Sequence, residues 1–328
     1  MKKIMIVFSL CFLAFSSVLL GKPSSVQAKD QNLSIAIVQL VSHPSLDQIN
    51  QGIIEQLQSA GYQEGDNLQV DQVNAQGDLN LLQSMSQQVV SKKPDLIFAI
   101  TTQVAQSLQA ATSDIPIILA GVTDPVAAGL LDDLEHPGGN ISGVSDLIPL
   151  EDHFKLMLAI DPSIKKLGLI YTTSDDSAKA TLEKAQEAAQ AVGIELVTEG
   201  ISQALDLQMV AEKLAPQVDA FYVGADNTVA AAFDNLLTIT DKAKLGIYPS
   251  IDQMVNQGGV AALAINQAEI GHLAADFALK VVDGQAIGDL PVAYLDHKEK
   301  IFNSKTLKLL GLELPKDQAQ DFKDVAGD

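Results

Sequence analysis

Hydroxyls, carboxylates and one imidazole recur in this chain just past short apolar runs. They are His43, Pro44 and Ser45; Thr101 and Thr102; Thr123 and Asp124; then Thr172, Thr173, Asp175 and Ser177; Asp226, Asn227 and Thr228; and Ser250 and Asp252. Each has a plain structural use as a helix cap or loop residue. Recurrence at one topological place gives them a second use. Hydroxyls and helix amino termini receive a carboxylate, and aspartate receives an ammonium group. The collection suits a zwitterion, so the candidate ligand is an amino acid. His43 either stacks flat on an aromatic ligand or caps its loop, and Tyr171 and Tyr248 are either aromatic wall or core.

Composition narrows the partners. The net charge of −20 argues against nucleic acid and anionic lipid. All 21 positive side chains are lysines. Bidentate clamping of phosphate or dicarboxylate relies on arginine, so a neutral or zwitterionic ligand fits better. The chain contains no G-x-x-x-x-G-K-[ST], G-x-S-x-G or H-E-x-x-H motif. Its five histidines, His43, His136, His153, His272 and His297, lack metal-ligand spacing. No nucleophile with its base can be assembled from local signals. The expectation is a binding protein with no catalytic residue, metal or cofactor.

The elements that must hold these residues alternate. Strands are expected at 33–40, 67–73, 94–100 and 115–121, with helices at 45–62, 78–93 and 102–113. Asp124-Pro125 reads as a helix start. A Gly-rich break, HPGGNISGVSD (136–146), separates this half from a second. There, strands are expected at 165–174, 194–200, 218–225, 245–250 and 259–266. Helices are expected at 152–162, 175–194, 205–217, 227–243, 251–258 and 269–284. Met85, Met157 and Met209 fall in helical apolar patterns and read as core. The tail PKDQAQDFKDVAGD reads as a solvated end. Strands alternating with long helices imply right-handed βαβ units and parallel sheets. The fold class is α/β: two doubly wound parallel-sheet lobes joined by a multi-strand hinge. One lobe is expected over 33–145 plus about 265–290, the other over 146–264 plus about 291–328. Strand carboxyl ends of both lobes then converge on a cleft that closes about a ligand.

The chain opens MKKIMIVFSLCFLAFSSVLLGKPSSVQAKD, with two lysines, an apolar core and Val26-Gln27-Ala28. That is a secretory signal peptide over residues 1–28. Cys11, the single cysteine, lies inside the apolar core after Leu10, which does not suit lipidation; the alternative to cleavage is an uncleaved segment acting as a membrane anchor. The mature chain is exported and holds together without disulfides.

The stretch VTDPVAAGLLDDLEHPGGNISGVSD (122–146) resembles the signature of ABC transporter substrate-binding proteins of the tryptophan/tyrosine type. HPSLDQINQGIIEQLQSAGYQEGDNLQVDQVNAQGD (43–78) is similar to that family's opening segment, and ITTQVAQSL, LGLIYTTSDDS and VGADNTV are further echoes. The resemblance covers roughly residues 33 to 300. It implies a type I periplasmic-binding-protein fold that captures an aromatic amino acid, tryptophan first. It also implies delivery to an ABC permease with a cytoplasmic ATPase, by a monomer at the outer face of the membrane or in the periplasm. Family binding positions carried over are His43, Thr101, Asp124, Asp175, Ser177, Asn227 and Asp252. One departure stands out. Where the family has Tyr-Asn-x-x-Glu-x-Asn-Ser, this chain has YTTSDDSA (171–178), so shorter side chains enlarge or re-aim that wall and leave the ligand's identity open. The ligand-binding set as a whole is then His43, Ser45, Thr101, Thr102, Thr123, Asp124, Asp175, Ser177, Asp226, Asn227 and Asp252. The alternatives are a ligand-sensing domain of the same fold for a small neutral solute and an exported α/β enzyme.

Overall fold

The computed structural model describes residues 32–296 and 298–326; the expected signal peptide, Cys11 and His297 lie outside them. The first half runs β1 (Leu33–Gln39), α1 (Pro44–Ser59), β2 (Leu68–Asn74), α2 (Leu79–Ser91), β3 (Leu96–Ile100), α3 (Thr102–Ala111), β4 (Ile117–Ala120) and β5 (Ile141–Ser145). The second runs α4 (Leu150–Ile160), β6 (Lys166–Thr172), α5 (Asp176–Val192), β7 (Glu195–Ile201), α6 (Leu207–Leu214), β8 (Ala220–Val223), α7 (Asn227–Ala231), α8 (Phe233–Ala243), β9 (Gly246–Pro249) and α9 (Asp252–Gln257). β10 (Ala261–Ala264), α10 (Gln267–Val282), β11 (Ala293–Tyr294), β12 (Glu299–Phe302), α11 (Ser304–Leu310) and β13 (Phe322–Asp324) complete it.

One parallel sheet has the order β11-β5-β4-β3-β1-β2 and a second the order β7-β6-β8-β9. A third sheet, β10-β12-β13, adjoins the second. Alternation along the strands gives each large sheet two apolar faces. In the first, Ile35, Ile37, Phe98 and Ile118 face α1 and α10, while Ala36, Val38, Ile97 and Leu119 face α2 and α3. In the second, Leu167, Leu169 and Tyr222 face α4 and α5, while Ile170, Phe221 and Ile247 face α6 and α8. Both sheets are therefore doubly wound. The chain passes between them after β5, after β10 and after β11, which gives the multi-strand hinge.

Several expectations need correction. The Gly-rich break contains β5, which fits beside β4 because Gly143, at φ 151°, leaves no Cβ to strike the Leu119 backbone. The last return crossing falls after Tyr294, beyond residue 290, because Ala293–Tyr294 pairs with β5. The expected helix 227–243 breaks at Ala232 into α7 and α8. Met209 is not core: α6 buries Leu207, Val210, Ala211 and Leu214, and leaves Met209 68% exposed. The tail is not a free solvated end. β13 pairs in parallel with β12, Phe322 meets Phe302 edge-on at 6.2 Å, and Val325 is buried. No helix among the described residues is long and apolar enough to cross a membrane.

Candidate functional site

The carboxyl ends of β1, β3 and β4 in the first sheet open toward those of β6, β8 and β9 in the second. A small cavity lies between them, about 30 Å³, lined by residues of both halves and of two hinge crossings. The first sheet contributes His43, Ser45, Leu46 and Ile49 from the start of α1. Thr101 and Thr102 come from the start of α3, and Gly121 and Thr123 from the end of β4. Asp146 and Gln267 come from the crossings, and Ser177, Ala225, Asn227 and Ile251 from the far side. A wider open depression of about 610 Å³ lies at the opposite, amino-terminal end of β1 and β2. Open α/β sheets bind at strand carboxyl ends, so the smaller, enclosed space is the candidate site.

Its polar groups are unusually unpaired. α2, α5, α7, α10 and α11 are each capped by an Asp or Asn side chain. α1 and α3, which point into the cavity, have no side-chain cap. The first N–H groups of α3, and those that follow Pro44 in α1, therefore lack the side-chain partner that these five helices supply locally. The Thr101 and Thr102 hydroxyls are buried with no hydrogen-bond partner among the described residues. Thr101 is also held at φ 92°, a conformation costly for a β-branched residue and one that clusters at binding sites. This end of the cavity can take a carboxylate.

Asp146 supplies the opposite charge. Its Oδ1 is enclosed without a hydrogen-bond partner among the described residues, while the Thr123 hydroxyl donates to the carboxylate. Burial pushes its carboxyl above the ordinary range, and the Thr123 hydrogen bond pulls the other way. An ammonium group seated there would supply the missing donor and hold the aspartate ionised. The apolar part of the lining is Leu46, Ile49, Gly121, Ala225 and Ile251.

Across the cavity, His43 Nε2 lies 3.2 Å from Asn227 Oδ1. The amide carbonyl accepts, so the ring nitrogen donates. Burial lowers the His43 pKa, partly offset by this bond, so the ring stays neutral at pH 7. Gln106 Nε2 donates to Asp176 Oδ2 at 2.9 Å and makes a second link between α3 and α5. Both links join the two halves, so this is a shut form.

Seven of the eleven residues expected at the site line the cavity, His43, Ser45, Thr101, Thr102, Thr123, Ser177 and Asn227, while Asp175 stands behind the wall and holds Ser177. Asp175 Oδ1 accepts from the Ser177 hydroxyl at 2.6 Å and from its N–H at 2.9 Å. Its pKa is pushed up to about 6, first by burial and then by the charge of Asp226, against the Ser177 hydrogen bond. Asp226 also stands behind the wall. It accepts from Thr172 N and Oγ1 and from the N–H groups of Thr228 and Val229, and burial raises its pKa. Tyr171 and Tyr248 are not among the lining residues, and Tyr248 is fully buried.

Two expected residues are elsewhere. Asp124 starts a single turn, not a helix: its Oδ1 accepts from Ala127 N, and the turn closes at Gly129 with φ 68°. That carboxylate is committed to the turn and does not line the cavity. Asp252 lines a separate recess of about 100 Å³ with Glu299 and Lys323. Ile251 is extended and bridged to Ile265, so alternation sends Ile251 into the cavity and its neighbour away. Asp146 and Gln267 were missed. Both lie in hinge crossings, and only their position past a buried strand, β5 or β10, signals them.

The family model described as ABC transporter substrate binding protein matches residues 34–321. A tyrosine-binding protein of Clostridioides difficile is 38% identical over 295 residues, 90% of this chain and 85% of that protein. The chain belongs to the ABC transporter substrate-binding proteins. An ABC domain from Streptococcus pneumoniae in complex with L-Trp superposes with a TM-score of 0.86 at 34% identity, covering 90% of this chain and 99% of that one. The ligand-free, open structure of a substrate binding protein with adhesive properties from Clostridium difficile gives 0.69, also at 34%, covering 89% and 99%. At equal identity the shape follows the ligand-bound structure, as the links across the cleft require. The substrate-binding protein thus has the type I periplasmic-binding-protein fold. Its family binds small molecules for an ABC permease and does not catalyse a reaction on them.

Proposed function

We propose that this substrate-binding protein captures an aromatic amino acid outside the cell, as a zwitterion, in the cavity between its lobes. The observation that carries this reading is the pairing of unmet groups: two orphaned hydroxyls at an uncapped helix, and an enclosed aspartate oxygen without a donor. The names of the relatives, one binding tyrosine and one holding L-Trp, supply the side-chain class. The α-carboxylate meets Thr101, Thr102 and the start of α3, and the ammonium group meets Asp146. The ring packs on Leu46, Ile49 and Ile251, with His43 as the one aromatic neighbour among the described lining residues. Ser177 and Asn227 close over it. Closed monomers then present the ligand to the permease, whose cytoplasmic ATPase drives uptake.

Replacing the ammonium partner tests the reading. Asp146→Asn is expected to weaken tyrosine or tryptophan binding by roughly 2–3 kcal/mol, about 30- to 150-fold, in a calorimetric titration. The unliganded melting temperature should not fall, because an enclosed carboxylate lacking a donor is removed. Unchanged affinity would dismiss Asp146 as the ammonium site.

A further inference from the structure

Gln267, the first residue of α10, is only 5% exposed, lines the cavity, and makes no side-chain hydrogen bond to any described residue. Asn266 does the capping of that helix, accepting from the N–H groups of Ala268 and Glu269, so Gln267 is not needed for it. A buried primary amide with neither donor nor acceptor met costs free energy unless something fills its valences.

Its surroundings say which part of a ligand that is. Ile270, one turn on along the same face, and Ile49 are the side chains that a Cβ at Gly121 would meet. Ile251 bridges Ile265, two residues before Gln267. α1 and α10 pack at glycine distance here: a Cβ at Gly52 would collide with the Ala268 carbonyl oxygen. Gln267 is therefore joined, along the chain or one turn on, to residues that meet Gly121, Ile49 and Ile251 of the apolar lining. The carboxylate and ammonium partners are other residues, Thr101, Thr102 and Asp146.

Resting on the aromatic amino-acid reading above, we propose that Gln267 is the specificity-determining residue: it hydrogen-bonds a polar atom on the ring, the phenol hydroxyl of tyrosine or the indole N–H of tryptophan. Either group can donate to the amide oxygen, and the phenol oxygen can also accept from the amide nitrogen. Phenylalanine fills the same apolar space and leaves the amide unmet. A site built to hydrogen-bond a ligand group rejects the analogue that lacks it, whereas an apolar pocket cannot reject by the same margin.

The test is calorimetric titration of tyrosine, tryptophan and phenylalanine into the full protein and into Gln267→Met, a near-isosteric apolar replacement, with Gln267→Leu as a second variant. Wild type is expected to prefer its better polar-ring ligand over phenylalanine by about tenfold or more. In Gln267→Met that preference should fall below about threefold, with phenylalanine binding unchanged or tighter. An equal loss for all three ligands would overturn the assignment, since Gln267 would then hold the common amino-acid part. Wild type binding phenylalanine as tightly as the other two would also overturn it, and would leave the aromatic reading intact. Wild type binding none of the three sinks both.

Discussion

At the residue scale, the ligand-facing and supporting aspartates have opposite jobs. Asp146 keeps an oxygen unmet at the cavity, whereas Asp175 spends its Oδ1 on Ser177 and stands behind the wall. Burial and the neighbouring Asp226 push Asp175 up to about 6, above the ordinary 3.8. The folded state then binds its proton more readily than the unfolded one. Its contribution to stability is full below about pH 4 and is lost as pH rises through about 6. Asparagine caps a helix as well as aspartate does. Asp175→Asn is therefore expected to flatten the fall in melting temperature between pH 4 and 7, and to raise it by roughly 2–4 °C at pH 7.5. A pH–melting series on both proteins reads this, and parallel curves would count against it. In the sequence Asp124, Asp175, Asp226 and Asp252 look alike, each just past an apolar run. Only tertiary contacts separate the turn of Asp124 and the recess of Asp252 from the caps of Asp175 and Asp226.

At the element scale, the order of strands and helices was readable because the periods are strong and several boundaries carry a capping side chain or a glycine. Asp78 before α2 and Gly193 after α5 are examples: one accepts from two N–H groups, the other sits in the left-handed region at φ 75°. β5 and β13 were not readable, since Ile-Ser-Gly-Val-Ser and Phe-Lys-Asp become strands only beside β4 and β12. Nor does local sequence disclose that α1 and α10 meet. Gly52 and Gly271 let their backbones approach, and a Cβ at Gly271 would collide with the Ile49 carbonyl oxygen. Both helices begin at the cavity, with Ser45 and Gln267. Gly271→Ala should push them apart, costing about 1–3 kcal/mol of stability. It should also weaken ligand binding several-fold, although residue 271 is not in the cavity lining. Melting and titration of the same sample give both numbers, and undiminished affinity in a destabilised protein would uncouple the helix contact from the site.

At the scale of the whole molecule, the lobes are shut by contacts outside the ligand's reach as well as inside it. Gln106–Asp176 and His43–Asn227 hold the halves together, and the remaining space is about 30 Å³. Apolar cavities that admit a benzene ring are on the order of 150 Å³. An aromatic ligand therefore needs the lobes to part to admit it and then to close around it with a wider cleft than this tightly shut form has. The composition already pointed to such a molecule, because a chain without arginine that must hold a carboxylate uses hydroxyls and helix starts. The cavity's identity depended on which strand ends face each other, which no single segment encodes. The most direct measurement is a calorimetric titration of the full protein with L-tyrosine and L-tryptophan, alongside indole-3-propionate, which lacks the ammonium group, and tryptamine, which lacks the carboxylate. Saturable one-to-one binding of at least one amino acid, with both truncated analogues at least about 30-fold weaker, is the predicted result. An analogue binding as tightly as tryptophan, or no heat from either amino acid, would contradict capture of an aromatic zwitterion between the lobes.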